Sequence, residues 1–218
     1  MTTSYSHSDL SIDQQLALKT AASNLQRRFD GIFGTETIER FLHSSYDEFA
    51  GRAAVLNFLP LLAERFARQR LTALAKVEGK HDDGVPVVLF LCTHNAGRSQ
   101  MALGFFSRLA GDRAIAWSGG SDPAERINPA AVEAMAKRGI DIAAEYPKPW
   151  TDEVVRAADV VVTMGCGDAC PVFPGRRYLD WPVEDPAGLD VADVRPLRDE
   201  IERRVRELLD EMKVPAAG

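Results

Sequence analysis

The stretch "VPVVLFLCTHNAGRSQMALGFF", residues 85–106, decides the fold. Its first seven residues form an unbroken apolar run of the kind found in strands buried on both faces of a parallel sheet. The run ends on Cys92, passes through the polar turn "THNAGR" and enters "SQMALGFFSRLAG", which reads as a helix closed by glycine. A turn of this kind can direct successive backbone N–H groups at an oxyanion, and the helix start adds free N–H groups and a positive dipole end. Arg98 can grip two oxygens of a tetrahedral anion. The same positive surroundings favour the thiolate of Cys92, a nucleophile, and Ser99 can hydrogen-bond it. Asn95 can hold the turn through side-chain bonds, and Gly97 permits unusual backbone angles. His94 reads as an exposed loop residue. Thr93, His94, Asn95, Ala96, Gly97, Arg98 and Ser99 are therefore the expected anion-binding loop, with Cys92 as the attacking group.

Downstream, strands alternate with helices. "AIAWSGG" (114–120) is a second strand, and "NPAAVEAMAKRGI" (128–140) is a helix with Asn128 as N-cap, Pro129 at its first position and Gly139 closing it. "TDEVVRAA" is a short capped helix, "DVVVTM" and "RRYLDW" are strands, and "VRPLRDEIERRVRELLDEM" is a long amphipathic final helix. That alternation predicts a parallel four-stranded sheet flanked by helices over residues 85–218.

Upstream the texture is different. Residues 9–78 carry three amphipathic segments and no strand, which predicts an all-α three-helix bundle over residues 1–80. In the first, Leu10, Ile12, Leu16, Leu18, Ala22, Leu25 and Phe29 recur at roughly helical spacing. Thr35 is placed to cap the second, and Pro60 to mark or kink the start of the third. "EGKHDDG" (78–84) reads as the linker, with His81 in solvent. The basic run "AERFARQRLTALAK" reads as a solvated helix face, since acidic residues nearly balance it. So small a bundle buries little surface alone, which makes self-association an expectation.

The whole-chain figures exclude several classes. A net charge of −6 gives no general attraction to nucleic acid or to anionic membrane. No apolar run approaches the ~18 residues of a membrane span, and "MTTSYSHSDLS" lacks an apolar signal core, which points to the cytoplasm. Three cysteines, an odd number, do not make a static disulfide framework. Cys166 and Cys170 lie four apart in "GCGDACPVFP". They can close a disulfide, contribute to a zinc site or stand as unrelated thiols; two cysteines without a histidine cluster are too few ligands for zinc, and no metal is predicted. Asp185, before Pro186, reads either as a turn residue or as a proton donor near the carboxyl ends of the strands.

Taken as a set, "FLCTHNAGRSQMA", "WSGGSDPAERINPAAVEAMAKRGID", "DVVVTMGC" and "WPVEDPAG" resemble the low-molecular-weight tyrosine phosphatase superfamily, and within it the thioredoxin-coupled arsenate reductases. The resemblance covers roughly residues 85–213; the N-terminal segment is similar to a three-helix bundle fused to some actinobacterial members and associated with dimerisation. It implies a low-molecular-weight phosphatase-like fold and reduction of arsenate to arsenite by a three-cysteine relay. Cys92 attacks arsenic with Asp185 as general acid, Cys166 then attacks Cys92, and Cys170 attacks Cys166. No bound cofactor is implied; thioredoxin is the external reductant, and a homodimer through the bundle is expected. Three departures stand out. Gly97 replaces a cysteine common in arsenate reductases, Leu103 occupies the place of an acidic potassium ligand, and Ala187 and Gly188 replace the aromatic residues of the phosphatases. The alternatives are a tyrosine phosphatase using Cys92, Arg98 and Asp185, a mycothiol-dependent arsenate reductase, and an oxyanion-sensing module without turnover.

Overall fold

The computed structural model describes residues 10–51, 58–80, 83–165 and 172–215. The chain forms two compact units, Met1–Asp82 and Asp83–Gly218. Among the described residues no helix is long and apolar enough to cross a membrane.

The first unit holds α1 (Ile12–Arg28), α2 (Thr35–Ala50) and α3 (Leu59–Val77). Ser11 and Gln14 form a reciprocal capping box that starts α1. The helix turns in Leu18, Ala21, Leu25 and, just past its end, Phe29, while Ile12 and Leu16 are 83% and 63% exposed, so its buried stripe begins later than the apolar spacing predicts. The N-cap of α2 is Gly34, with Thr35 as the first helical residue and no side-chain cap; the expected Thr35 cap is one position off. Pro60 sits in the first turn of α3, where a missing N–H costs nothing. Phe49 packs edge-on against Phe66, and Arg70 lies over Phe41 and Phe66.

In the second unit, β1 (Val87–Cys92), β2 (Ile115–Gly120), β3 (Val160–Met164) and β4 (Arg177–Asp180) form one parallel sheet in the order β2-β1-β3-β4. All six residues of β1 are buried, as its unbroken apolar run requires. Helices α4 (Arg98–Ala110), α5 (Pro129–Ala136), α6 (Asp152–Ala157) and α7 (Val191–Glu211) complete the fold. Phe90, Phe106, Met101, Met135, Ile201 and Val205 belong to one continuous core shared by sheet and helices. Because β2 lies on one side of β1 and β3 on the other, the connections diverge there, and the carboxyl end of β1 opens onto a crevice. Cys92 is the last residue of β1.

Candidate active site

The loop after β1 has its carbonyls turned outward, and each finds a donor. Thr93 O accepts from Asp122 N and His94 O from Ala124 N, both at 2.9 Å. Asn95 O accepts from Gln100 Nε2 at 3.0 Å. Ala96 O accepts from Asn128 N, and Gly97 O from Met101 N, both at 2.9 Å. With these carbonyls taken, the N–H groups of Thr93–Gly97 have no partner among the described residues and are open to an anion. The first turn of α4 continues the array, since its N-cap Gly97 offers no side chain. Such a concave row of donors is an anion receptor.

Side chains lock this shape. Asn95 is buried with φ 46°, a left-handed conformation that asparagine tolerates better than most residues. Its Oδ1 accepts from Lys148 N at 3.0 Å and Gln100 Nε2 at 3.1 Å, and its Nδ2 donates to Ser99 Oγ at 2.8 Å. The asparagine therefore braces the turn across the fold as well as locally. Ser99 Oγ lies 3.0 Å from Cys92 Sγ, and both residues are buried. Gly120 lets the loop approach the sheet, for a Cβ there would stand 2.6 Å from Thr93 O. Gly97 has φ −127° and ψ −85°, outside the helical and extended regions, and its smallness is needed as well: a Cβ would stand 2.5 Å from Pro186 Cγ. His94 is exposed, its Nδ1 3.1 Å from Asp122 O.

Arg98 is 6% exposed and needs an anionic partner at that depth. Its Nη2 pairs with Asp185 Oδ2 at 2.7 Å, and its Nη1 donates to Val183 O at 3.3 Å. A Cβ on Gly165, where φ is +71°, would stand 2.6 Å from Arg98 Nη1, so only glycine admits the guanidinium there. Thr93 Oγ1 donates to Gly165 O at 3.1 Å, tying the end of β3 to the anion loop. Asp185 Oδ1 accepts from Ala187 N at 3.0 Å, the Asx turn its Asp-Pro context suggests.

Cys92, Arg98 and Asp185 line one cavity of about 530 Å³ with His94, Ala96 and Gly97. Its remaining walls include the small or aliphatic Ala124, Ile127, Ala187 and Leu189, and among the described residues no Phe, Tyr or Trp lines it. Two polar lining residues were not expected at the site from the sequence: Arg126, which is exposed, and Asn128, foreseen only as a helix cap. The Asn-Pro and Asp-Pro dipeptides mark the two loops, but nothing in the sequence says that they meet. Cys166 and Cys170 lie outside the described residues. Among the described residues no group of three or more His, Cys, Asp or Glu is placed to hold a metal ion.

Residues 18–75 match the protein-tyrosine-phosphatase-like N-terminal domain, and residues 87–216 match the low molecular weight phosphotyrosine protein phosphatase family. A thioredoxin-dependent arsenate reductase of Corynebacterium glutamicum is similar over 92% of this chain and 98% of its own, with 43% identity and a TM-score of 0.81. An arsenate reductase from Archaeoglobus fulgidus is 37% identical with a TM-score of 0.50, over 56% of this chain and 98% of its own. Arsenate reductase 1 of Staphylococcus epidermidis is 38% identical over 122 residues, 54% of this chain and 91% of that protein. The structural likeness to the Corynebacterium enzyme spans both units, and the match at 87–216 takes in the anion loop and Asp185 alike: the chain belongs to the low molecular weight phosphotyrosine protein phosphatase family.

Proposed function

We propose that this protein reduces arsenate to arsenite in the cytoplasm, with thioredoxin as its reductant. The observation that carries the reading is the cavity itself: a buried cysteine, a run of unpartnered N–H groups and an Arg98–Asp185 pair, within walls whose described residues offer no aromatic face to a tyrosyl ring. A small inorganic tetrahedral anion suits that space better than an aryl phosphate. The names of its relatives agree with this choice.

In this reading arsenate enters the N–H array and shares Arg98, replacing Asp185 as the counter-charge of the buried guanidinium. Asp185, released from Arg98, can then carry the proton that the departing oxygen needs. The Cys92 thiolate attacks arsenic, an S–As bond forms, and the displaced oxygen leaves as water. Cys166 attacks the Cys92 sulfur as a thiolate; the S–S bond forms, the S–As bond breaks, and its electron pair stays on arsenic, which leaves as arsenite. Cys170 attacks Cys166 and releases Cys92, and thioredoxin reduces the resulting Cys166–Cys170 disulfide. The bundle of residues 1–80 serves self-association, so the working form is a homodimer.

The test is arsenate-dependent NADPH oxidation with thioredoxin and thioredoxin reductase. Wild type turns over, and Cys92→Ser, Cys166→Ser and Cys170→Ser each stop it. Aryl phosphate hydrolysis that survives both Cys166→Ser and Cys170→Ser, without arsenate-dependent NADPH oxidation, would replace this reading with a phosphatase.

A further inference from the structure

We infer that Asn128 is a positioning residue that holds the Asp185 loop against the anion loop, beyond its service as a helix cap. The inference rests on the reading of Asp185 as the proton donor.

Asn128 joins three parts of the site at once. Its backbone N donates to Ala96 O at 2.9 Å, fixing it to the anion loop. Its Oδ1 accepts from Ala130 N at 2.8 Å and Ala131 N at 3.2 Å, capping α5. Its Nδ2 donates to Pro186 O at 3.0 Å, across to the loop that carries Asp185. The two ends of the amide are not interchangeable. The N–H groups of the helix start require the oxygen, and the Pro186 carbonyl requires the NH2.

Pro186 is held from its other side by the bare α-carbon of Gly97, since a Cβ there would stand 2.5 Å from Pro186 Cγ. The proline is thus pinned between Asn128 and Gly97. Asp185 precedes it by one residue and gains its own tether to Arg98 at 2.7 Å. When an oxyanion takes up Arg98, that tether weakens, and the pinned proline is what keeps the carboxyl over the cavity. The Asn128 side chain therefore bears on the step that uses the Asp185 proton.

Aspartate separates the two roles of Asn128. It caps a helix as well as asparagine, but it puts an oxygen where Pro186 O needs a donor. In the full-length protein Asn128→Asp should keep the melting temperature and keep Ala130 and Ala131 amides protected from hydrogen exchange. The amides of Ala187 and Leu189, which bond to Asp185 Oδ1 and to Pro186 O, should exchange faster. In the thioredoxin-coupled assay its kcat should fall about tenfold, a share of the 10²–10⁴ that general acids supply; the new carboxylate lines the anion cavity and raises KM for arsenate as well, so kcat at saturating arsenate is what reports the tether. In an Asp185→Asn background the same substitution should cost nothing more, because its effect acts through Asp185.

Unchanged exchange at Ala187 and Leu189 overturns the tether. A loss of kcat that multiplies in full with that of Asp185→Asn overturns its action through the acid. Exchange needs no turnover, so a wild type inactive on arsenate would sink the reductase reading and the kinetic role while the tether itself is still decided.

Discussion

Ser99 determines how the sulfur of Cys92 is held. Asn95 Nδ2 already donates to Ser99 Oγ at 2.8 Å, so the single hydroxyl hydrogen is free to point along the 3.0 Å line to Cys92 Sγ. A hydrogen bond from a neutral donor to a charged acceptor contributes about 1.5–3 kcal/mol, and each 1.4 kcal/mol is about tenfold in an equilibrium. Ser99→Ala should therefore slow alkylation of Cys92 by iodoacetamide at pH 7 by about tenfold. Equal rates for the two proteins would show that the hydroxyl donates elsewhere. Cys92, Arg98 and Ser99 were legible because strand, turn and helix start follow one another within a single stretch of chain. Asp185 took its expected role only from the family resemblance, since an Asp-Pro pair by itself signals a turn. The second task of Asn128 was not legible at all: its bond to Pro186 spans 58 residues, and no local pattern records a contact between two loops.

At the scale of elements, α7 is fastened to the chain beyond α5 by Glu202. That carboxylate is 8% exposed and takes hydrogen bonds from Arg138 and, one turn along its own helix, from Arg206. Burial pushes its pKa up, but the hydrogen bonds of Arg206 and Arg138 outweigh that and leave it below the ordinary glutamate value. A carboxyl depressed in the folded state stabilises it fully above the unfolded value, about 4.3, and loses that contribution as pH falls through the folded value. Glu202→Gln should cost about 1 kcal/mol at pH 7. The gap in melting temperature from wild type should narrow as the pH drops below about 4; a gap constant from pH 7 to pH 3 would assign the effect to packing. Which elements exist was readable from periodicity and turn residues. Their buried faces were less so. Ile12 and Leu16 fit the helical spacing of α1 yet stand exposed, because an apolar stripe shows that a face exists and not where its cover begins.

At the scale of the molecule, Cys92, Arg98 and Asp185 and the core beneath them all fall within residues 83–218. The Archaeoglobus relative covers 56% of this chain with 98% of its own length, a span no longer than this unit. A fragment of residues 83–218 should unfold in one cooperative transition, and phosphate should protect Cys92 from alkylation equally in the fragment and in the full chain. Loss of cooperativity or of that protection would show that the site depends on the bundle. In the sequence, three strandless amphipathic segments give way to a buried-strand run.

The central place of β1 has a consequence for synthesis on the ribosome. The helices of the bundle close their contacts with one another by Val77. Strand β1 emerges next, but Val88 finds its inner neighbour only in Val160, and Val160 in turn pairs with Arg177. From the end of β1 until β3 is made, the nascent chain therefore carries an apolar strand with an open edge. Starved or slowed ribosomes prolong that interval, and the yield of soluble enzyme should depend on how quickly the segment from residue 93 to residue 164 is made.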